Sequence, residues 1–289
     1  MKLVIFGMGY SAAALVQAMR PFRAGTIIGT TRSPQKAEIL GKTSVYPRVF
    51  PGTDMRADLE KATHVLITAG PEDGADPVLK HLRPVFEELA SRFEWVGYLS
   101  TTGVYGDHQG GWVDETSALT PATRRGRARV QTEMEWNDLY RLKGLPLHIF
   151  RLPGIYGPGR GPFAKVRNGT ARRIIKEGQV FSRIHVEDIA QALMASMKRP
   201  QPGAIYNICD DDPAPPQDVL SYAAELLGLD LPPAVPFEEA DLTPMARSFY
   251  AESKRVDNSL MKRELGVKLR YPTYKAGLDA LFAAERAKG

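Results

Sequence analysis

A chain of 289 residues with 43% hydrophobic and 25% charged side chains can bury a large core and has the make-up of a globular protein, not a disordered or fibrous one. No apolar run reaches the roughly 18 residues that a membrane span needs, and a single cysteine, Cys209, excludes an internal disulfide. The net charge of +5 would suit nucleic acid, yet the basic residues are dispersed without a helix-turn-helix or aromatic RNA-binding pattern, so a pocket for a small anion accounts for it as well. The expectation is a cytoplasmic protein with neither membrane nor nucleic-acid partner. The five histidines are scattered, so no metal site is expected, and because the first residues already read as a strand, no signal peptide is expected either.

Residues 2–20, KLVIFGMGYSAAALVQAMR, open the chain with an apolar run typical of a strand buried on both faces. Gly7, Gly9 and Ala12 then read GxGxxA, and Leu15, Val16 and Met19 recur at helical spacing. In a strand–turn–helix, Gly7 allows the tight turn, Gly9 leaves no Cβ in the way of a pyrophosphate, and Ala12 lets helix pack on strand. The helix N-terminus, with Tyr10 and Ser11, then faces an anion. A glycine turn that holds nothing is the alternative, and the setting directly after a buried strand argues against it.

Residues 26–30 (TIIGT) read as the second strand, followed by Thr31, Arg32 and Ser33. In a dinucleotide fold an acid here accepts from the ribose of NAD, whereas an arginine suits the 2'-phosphate of NADP. No acid is present, so Arg32, flanked by Thr31 and Ser33, points to NADP rather than NAD; a solvated loop arginine is the plainer reading. Strands are expected at 45–50 and 65–68, the latter ending in Thr68, Ala69, Gly70 and Pro71, small enough for a ligand to approach. A short helix near 58–62 and a longer one over 77–92 precede a fifth strand at 95–100. Strands that alternate with helices predict an α/β fold with a doubly wound parallel sheet.

Strand five runs into Ser100, Thr101, Thr102, Gly103, Val104, Tyr105 and Gly106. LSTTGVYG, with GxGxxA before it and RLPGIYGPG and RIHVEDIA after it, resembles the motif series of the extended short-chain dehydrogenases/reductases, the superfamily of nucleotide-sugar epimerases and dehydratases. The resemblance spans the first two hundred residues in the family's order. It implies a Rossmann-type fold, a hydrogen bond from Thr101 to the reacting oxygen, and backbone contact from Pro153 and Gly154 to the nicotinamide. The family's dehydratases carry an acid pair where this chain has Thr102 and Gly103, which disfavours dehydration.

The family also carries Tyr-x-x-x-Lys between a Pro and a Glu. In PATRRGRARVQTE, Pro121, Gly126 and Glu133 keep that frame, but Arg125 stands at the Tyr position and Arg129 at the Lys position. An arginine stays protonated to at least about pH 12 and cannot pass a proton, although it can stabilise an oxyanion as a fixed donor. A solvated, arginine-rich helix face is the alternative. Tyr250 and Lys254 form a literal Tyr-x-x-x-Lys far too late in the chain for that helix and read as a chance match, unless folding brings Tyr250 to the cleft.

Residues 147–152 form a sixth strand and 206–209 (YNIC) one more, with Cys209 a small buried residue in or beside it. Helices are expected at 218–229, 254–265 and 276–288. Tyr156 and His185, one on each later motif, are candidate proton donors in place of the missing tyrosine. The domain expectation is a Rossmann unit over 1–156 plus about 182–209, and a smaller, mostly helical substrate domain over about 157–181 and 210–289. Two functions fit: an NADP-dependent oxidoreductase or epimerase acting, as monomer or homodimer, on a polar small molecule that carries or lacks an anionic group; or a non-catalytic NADP-binding redox sensor.

Overall fold

The computed structural model describes residues 1–22 and 25–287. Seven strands, β1 (Lys2–Phe6), β2 (Thr26–Thr31), β3 (Val45–Val49), β4 (His64–Ile67), β5 (Trp95–Thr101), β6 (Leu147–Leu152) and β7 (Ile205–Asn207), form one parallel sheet in the order β7-β6-β5-β4-β1-β2-β3. The direction of winding reverses at β1, which pairs with β2 on one side and β4 on the other. Ligands of such sheets bind in the crevice that this reversal opens at the strands' C-terminal ends.

Side chains alternate along a strand, and β1 shows why its run must be apolar throughout. Leu3 and Ile5 pack with α1 (Tyr10–Met19) and α7 (Val186–Lys198), while Val4 and Phe6 pack on the other face against α4 (Pro77–Leu89) and α5 (Arg124–Lys143). All four are fully buried. The shorter α2 (Pro34–Gly41) and α3 (Arg56–Leu59) link β2 to β4 through β3. Past β6, α6 (Phe163–Arg167), α8 (Pro216–Leu227) and α11 (Tyr274–Arg286) form a cap around Phe163, Ala223, Tyr274 and Leu278.

Two departures from the sequence reading concern the C-terminal third. The helix expected over 254–265 does not begin until α10 (Ser259–Leu265), because Arg255–Val256 pairs as a short parallel strand with Trp112–Val113. Asn258 holds the turn by donating to Cys209 O and Asp211 Oδ1 at 2.8 and 2.7 Å. Met261, Leu265 and Val267 also pack into the β1–α1–α7 core, so this stretch serves the sheet layer although the domain expectation gave it to the cap.

His148 on β6 and His185 at the start of α7 are buried, and burial lowers both to about 4. His148 is satisfied as a neutral ring: one nitrogen donates to Val96 O at 3.3 Å and the other accepts from Gln201 N at 2.8 Å. Each histidine therefore contributes stability that is complete above the ordinary pKa of about 6.5 and is lost as pH falls toward 4. NMR titration should find both rings neutral at about pH 5.5, where an unperturbed imidazole is mostly protonated. A cationic His148 at that pH would contradict the hydrogen bonds described.

Candidate active site

The crevice at the ends of β1 and β4 is lined by small residues. Gly7 has φ +98°, and a Cβ there would lie 2.8 Å from Thr68 Oγ1, which donates to Gly7 O. Gly7 N in turn donates to Thr30 Oγ1 at 3.0 Å. Gly9 caps α1 without a side chain, and a Cβ on it would meet nothing within 4 Å, so the space before the helix is open. The first N–H groups of α1 and the positive end of its dipole face that space. Ser11 and Ala12 are buried in this turn, whereas Tyr10 turns its phenol to donate to Pro158 O at 2.9 Å.

At the end of β2, Thr31 Oγ1 accepts from Ser33 N at 3.3 Å, and Ser33 Oγ caps α2 by accepting from Lys36 N at 3.3 Å. Both hydroxyls are thus engaged in the turn itself. Arg32 projects from it 73% exposed and pairs with Glu72, which follows Pro71 beyond β4 and is 51% exposed.

A cleft of about 900 Å³ lies over the ends of β4, β5 and β6, and Gly70, Pro71, Thr101, Thr102, Pro153 and Gly154 line it. Ser100 Oγ, one residue before Thr101 on β5, is buried with no hydrogen-bond partner among the described residues. Thr101 Oγ1 accepts from Gly103 N at 3.2 Å, which leaves its own proton free to donate. Arg125 and Arg129, one turn apart, reach the same cleft from the first turns of α5, whose N-cap is Thr123. Arg129 is pinned: its Nη1 donates to Tyr98 Oη at 2.8 Å and to Leu99 O at 2.7 Å, and Nη2 fills the place where a Cβ on Gly70 would be, 2.6 Å away. Arg125 lies 5.8 Å over the ring of Phe249 at the end of α9 (Pro244–Phe249).

Helix α5 is tied to the sheet by a buried ion pair. Glu133 accepts from Arg151 Nη2 at 2.7 Å and from Nε at 3.2 Å, and Arg151 Nη1 donates to Tyr105 Oη at 3.0 Å. This network sets the height at which Arg125 and Arg129 meet the strand ends.

Tyr156 and His185 are not brought to this cleft. Ile155 lines it, and Tyr156, the next residue of an extended strand, points the opposite way into the cap core, with Oη donating to Thr273 O at 3.4 Å. Burial pushes that phenol well up. His185 is the N-cap of α7, its Nδ1 accepting from Glu187 N at 3.3 Å, with its ring 4.0 Å from that of Tyr271. Their expected role as proton donors is therefore set aside.

In their place the fold supplies the segment read as a chance match. Tyr250, Glu252 and Lys254 all line the cleft. Lys254 Nζ is buried, donating to Gly106 O at 2.6 Å and to Glu252 Oε2 at 2.8 Å. Ser253 N donates to Asp107 Oδ1 at 2.8 Å, and Gln179 Nε2 to Glu252 O at 2.7 Å, so the segment is held from both sides. Tyr250 is not joined to Lys254 by helical geometry. It comes in above the strand ends from the cap, and burial raises its pKa against the opposing charge of Arg183.

A model of the NAD-dependent epimerase/dehydratase family matches residues 83–209. Protein YeeZ of Escherichia coli (strain K12) is 30% identical and aligns over 94% of this chain and 96% of its own length. The chain belongs to the NAD-dependent epimerase/dehydratase family. A functionally unknown conserved protein from Silicibacter pomeroyi DSS is 57% identical, with a TM-score of 0.92 over 98% of this chain and 99% of that one. The UDP-glucuronic acid 4-epimerase of Bacillus cereus, solved with UDP-glucuronic acid and NAD, shares the fold at 17% identity, TM-score 0.79 and full coverage of both chains. The epimerase-like fold is thus an NAD(P)-binding one, and the open space before Gly9 together with the unpartnered Ser100 hydroxyl fits a dinucleotide there. Among the described residues no helix is long and apolar enough to cross a membrane.

Proposed function

We propose that this protein is an NADP-dependent oxidoreductase acting on a polar, anionic small molecule. The observation that carries the reading is that Thr101, Arg125 and Arg129 meet Pro153 and Gly154 in one cleft, which Gly70 and Pro71 beyond β4 also line. A bound nicotinamide would supply or accept a hydride there. Thr101 would donate to the reacting oxygen, Arg129 would hold the ribose side of the cofactor, and Arg125 would stabilise negative charge on the substrate.

Neither arginine passes a proton at neutral pH. The titratable groups on the cleft wall are Asp73, Tyr250, Glu252 and Lys254. Glu252 and Lys254 are engaged with each other, and Asp73 belongs to the loop beyond Pro71 on the cofactor side. The proton is therefore assigned to Tyr250, whose raised pKa keeps the phenol protonated. In support of NADP, Arg32 stands in the open where an adenosine 2'-phosphate would lie, and a phosphate would compete with Glu72 for it. Arg32→Ala should weaken NADPH by about 1.5–3 kcal/mol, the usual worth of a charged hydrogen bond, and leave NADH unchanged. Calorimetric titration of both cofactors decides it, and equal losses would remove the assignment.

The function is tested by incubating the protein with NADPH and a panel of carbonyl compounds and following NADPH absorbance. Oxidation by some member of the panel, lost in Tyr250→Phe, is the expected result. The replacement of the family's Tyr and Lys by Arg125 and Arg129 favours a redox sensor as the second reading. Bound NADPH untouched by every carbonyl, with a partner protein held differently by the NADPH and NADP forms, would establish that instead.

A further inference from the structure

Part of the cleft lining is apolar: Ile155, Val180, Phe181, Phe249, Tyr250 and Val256. The ring of Tyr250 packs edge-on against Phe181 at 5.6 Å and tilted against Phe237 at 5.3 Å, so its plane is fixed before any ligand arrives. Phe249, the neighbouring residue, leaves 53% of its surface exposed on the last turn of a short helix. Aromatic side chains are common in the lining of ligand pockets, and Phe249 lines this cleft.

The same cleft is mostly cationic in charge. Arg124, Arg125, Arg129, Arg160 and Arg183 line it, against the carboxylates of Asp73 and of Glu252, the latter already paired with Lys254. Arg129 is held by Tyr98 and Leu99, and Arg183 Nη1 by the carbonyls of Phe181 and Ala214 at 2.8 and 3.0 Å. Arg125 makes no hydrogen bond to a protein group among the described residues; its guanidinium lies over the face of Phe249. Its planar fork is thus free to take a carboxylate in a bidentate pair.

We infer that the ligand of this cleft is an aryl carboxylate, its ring laid against Phe249 and Tyr250 and its carboxylate paired with Arg125. A flat apolar ring matches the rings of Phe249 and Tyr250. Arg124, Arg125 and Arg160 line the cleft without a side-chain hydrogen bond among the described residues, and of these it is Arg125 that lies over the Phe249 ring, where the carboxylate of a ring stacked there would reach it. A nucleotide would also join a planar ring to an anion, and UDP-glucose as a comparison ligand separates that occupant from this one. The inference rests on the reading of this cleft as the substrate site.

The test is calorimetric titration of trans-cinnamate into the protein·NADPH complex, with cinnamyl alcohol and UDP-glucose as comparison ligands. Cinnamate should bind saturably, the alcohol at least about tenfold more weakly, and Arg125→Ala should cost cinnamate at least about tenfold, equivalent to about 1.4 kcal/mol. Phe249→Ala should weaken cinnamate as well, while Arg125→Lys, which keeps the charge but not the fork, recovers part of the affinity. Thermal melts of each variant confirm folding. Cinnamate affinity unchanged in Arg125→Ala overturns the inference, as does tight UDP-glucose binding with no cinnamate binding; the oxidoreductase reading survives both. Failure of NADPH itself to bind defeats that reading and this one together.

Discussion

Thr101→Val should lower kcat/KM for NADPH oxidation by about 10²- to 10³-fold, the usual effect of removing one preorganised donor to a developing oxyanion. Valine matches threonine in shape, and the extended backbone at Thr101 (φ −140°, ψ 148°) is one that β-branched residues favour, so β5 keeps its geometry. What disappears is a hydroxyl whose oxygen accepts from Gly103 N and whose proton is therefore directed elsewhere. The dinucleotide crevice does not use this side chain, so the Kd for NADPH should stay near that of the parent protein. Thr101→Ser, which keeps the hydroxyl, should retain most activity. Steady-state kinetics on the same carbonyl substrate check all three proteins, and a Val variant as active as the Ser variant would remove Thr101 from the chemistry.

Glu133→Ala should cost about 3–5 kcal/mol of stability, the range measured when one partner of a buried ion pair is removed. The side chains of Arg151 and Glu133 are 3% and 5% exposed and 2.7 Å apart, which is why the loss is large: a surface pair would give about 1 kcal/mol at most. Without Glu133 the Arg151 guanidinium keeps only Tyr105 as a partner and remains in the interior as an uncompensated charge. The paired replacement Glu133→Leu with Arg151→Met, which removes both charges and fills the volume, should recover most of the loss. Urea denaturation of the three proteins measures this directly. Against a total stability of about 5–15 kcal/mol, the single variant stands at the edge of folding.

The parallel sheet and dinucleotide crevice were legible because each rests on local facts. A strand buried on both faces must be apolar at every position, and a glycine with φ +98° under Thr68 has few substitutes. Arg125 and Arg129 were legible as positions, since Pro121, Gly126 and Glu133 frame them. Tyr156 and His185 carried motif resemblance but not direction: one residue along an extended strand reverses a side chain, and Ile155 rather than Tyr156 takes the cleft. Ser33 and Thr31, which flank Arg32 in the NADP reading, build the turn itself by accepting from Lys36 N and Ser33 N. Tyr250 and Lys254 were legible only as a pattern, read as a chance match unless folding brings Tyr250 to the cleft. The bonds that hold their segment in place, Ser253 N to Asp107 and Lys254 Nζ to Gly106, span 146 and 148 residues, and no local periodicity records contacts at that separation.

That segment also limits how the cleft can open to a ligand. Because 250–256 is stitched to Gly106, Asp107, Gly111 and Val113 on one side and to Gln179 and Val180 on the other, the cap cannot swing away from the sheet as a rigid jaw without tearing buried hydrogen bonds. Traffic must pass instead beneath α9, a six-residue helix with no buried residue, where opening breaks little. The roof of this cleft is a shutter on a fixed frame, and amide exchange should be fast over 244–249 and slow from Ser253 to Val256.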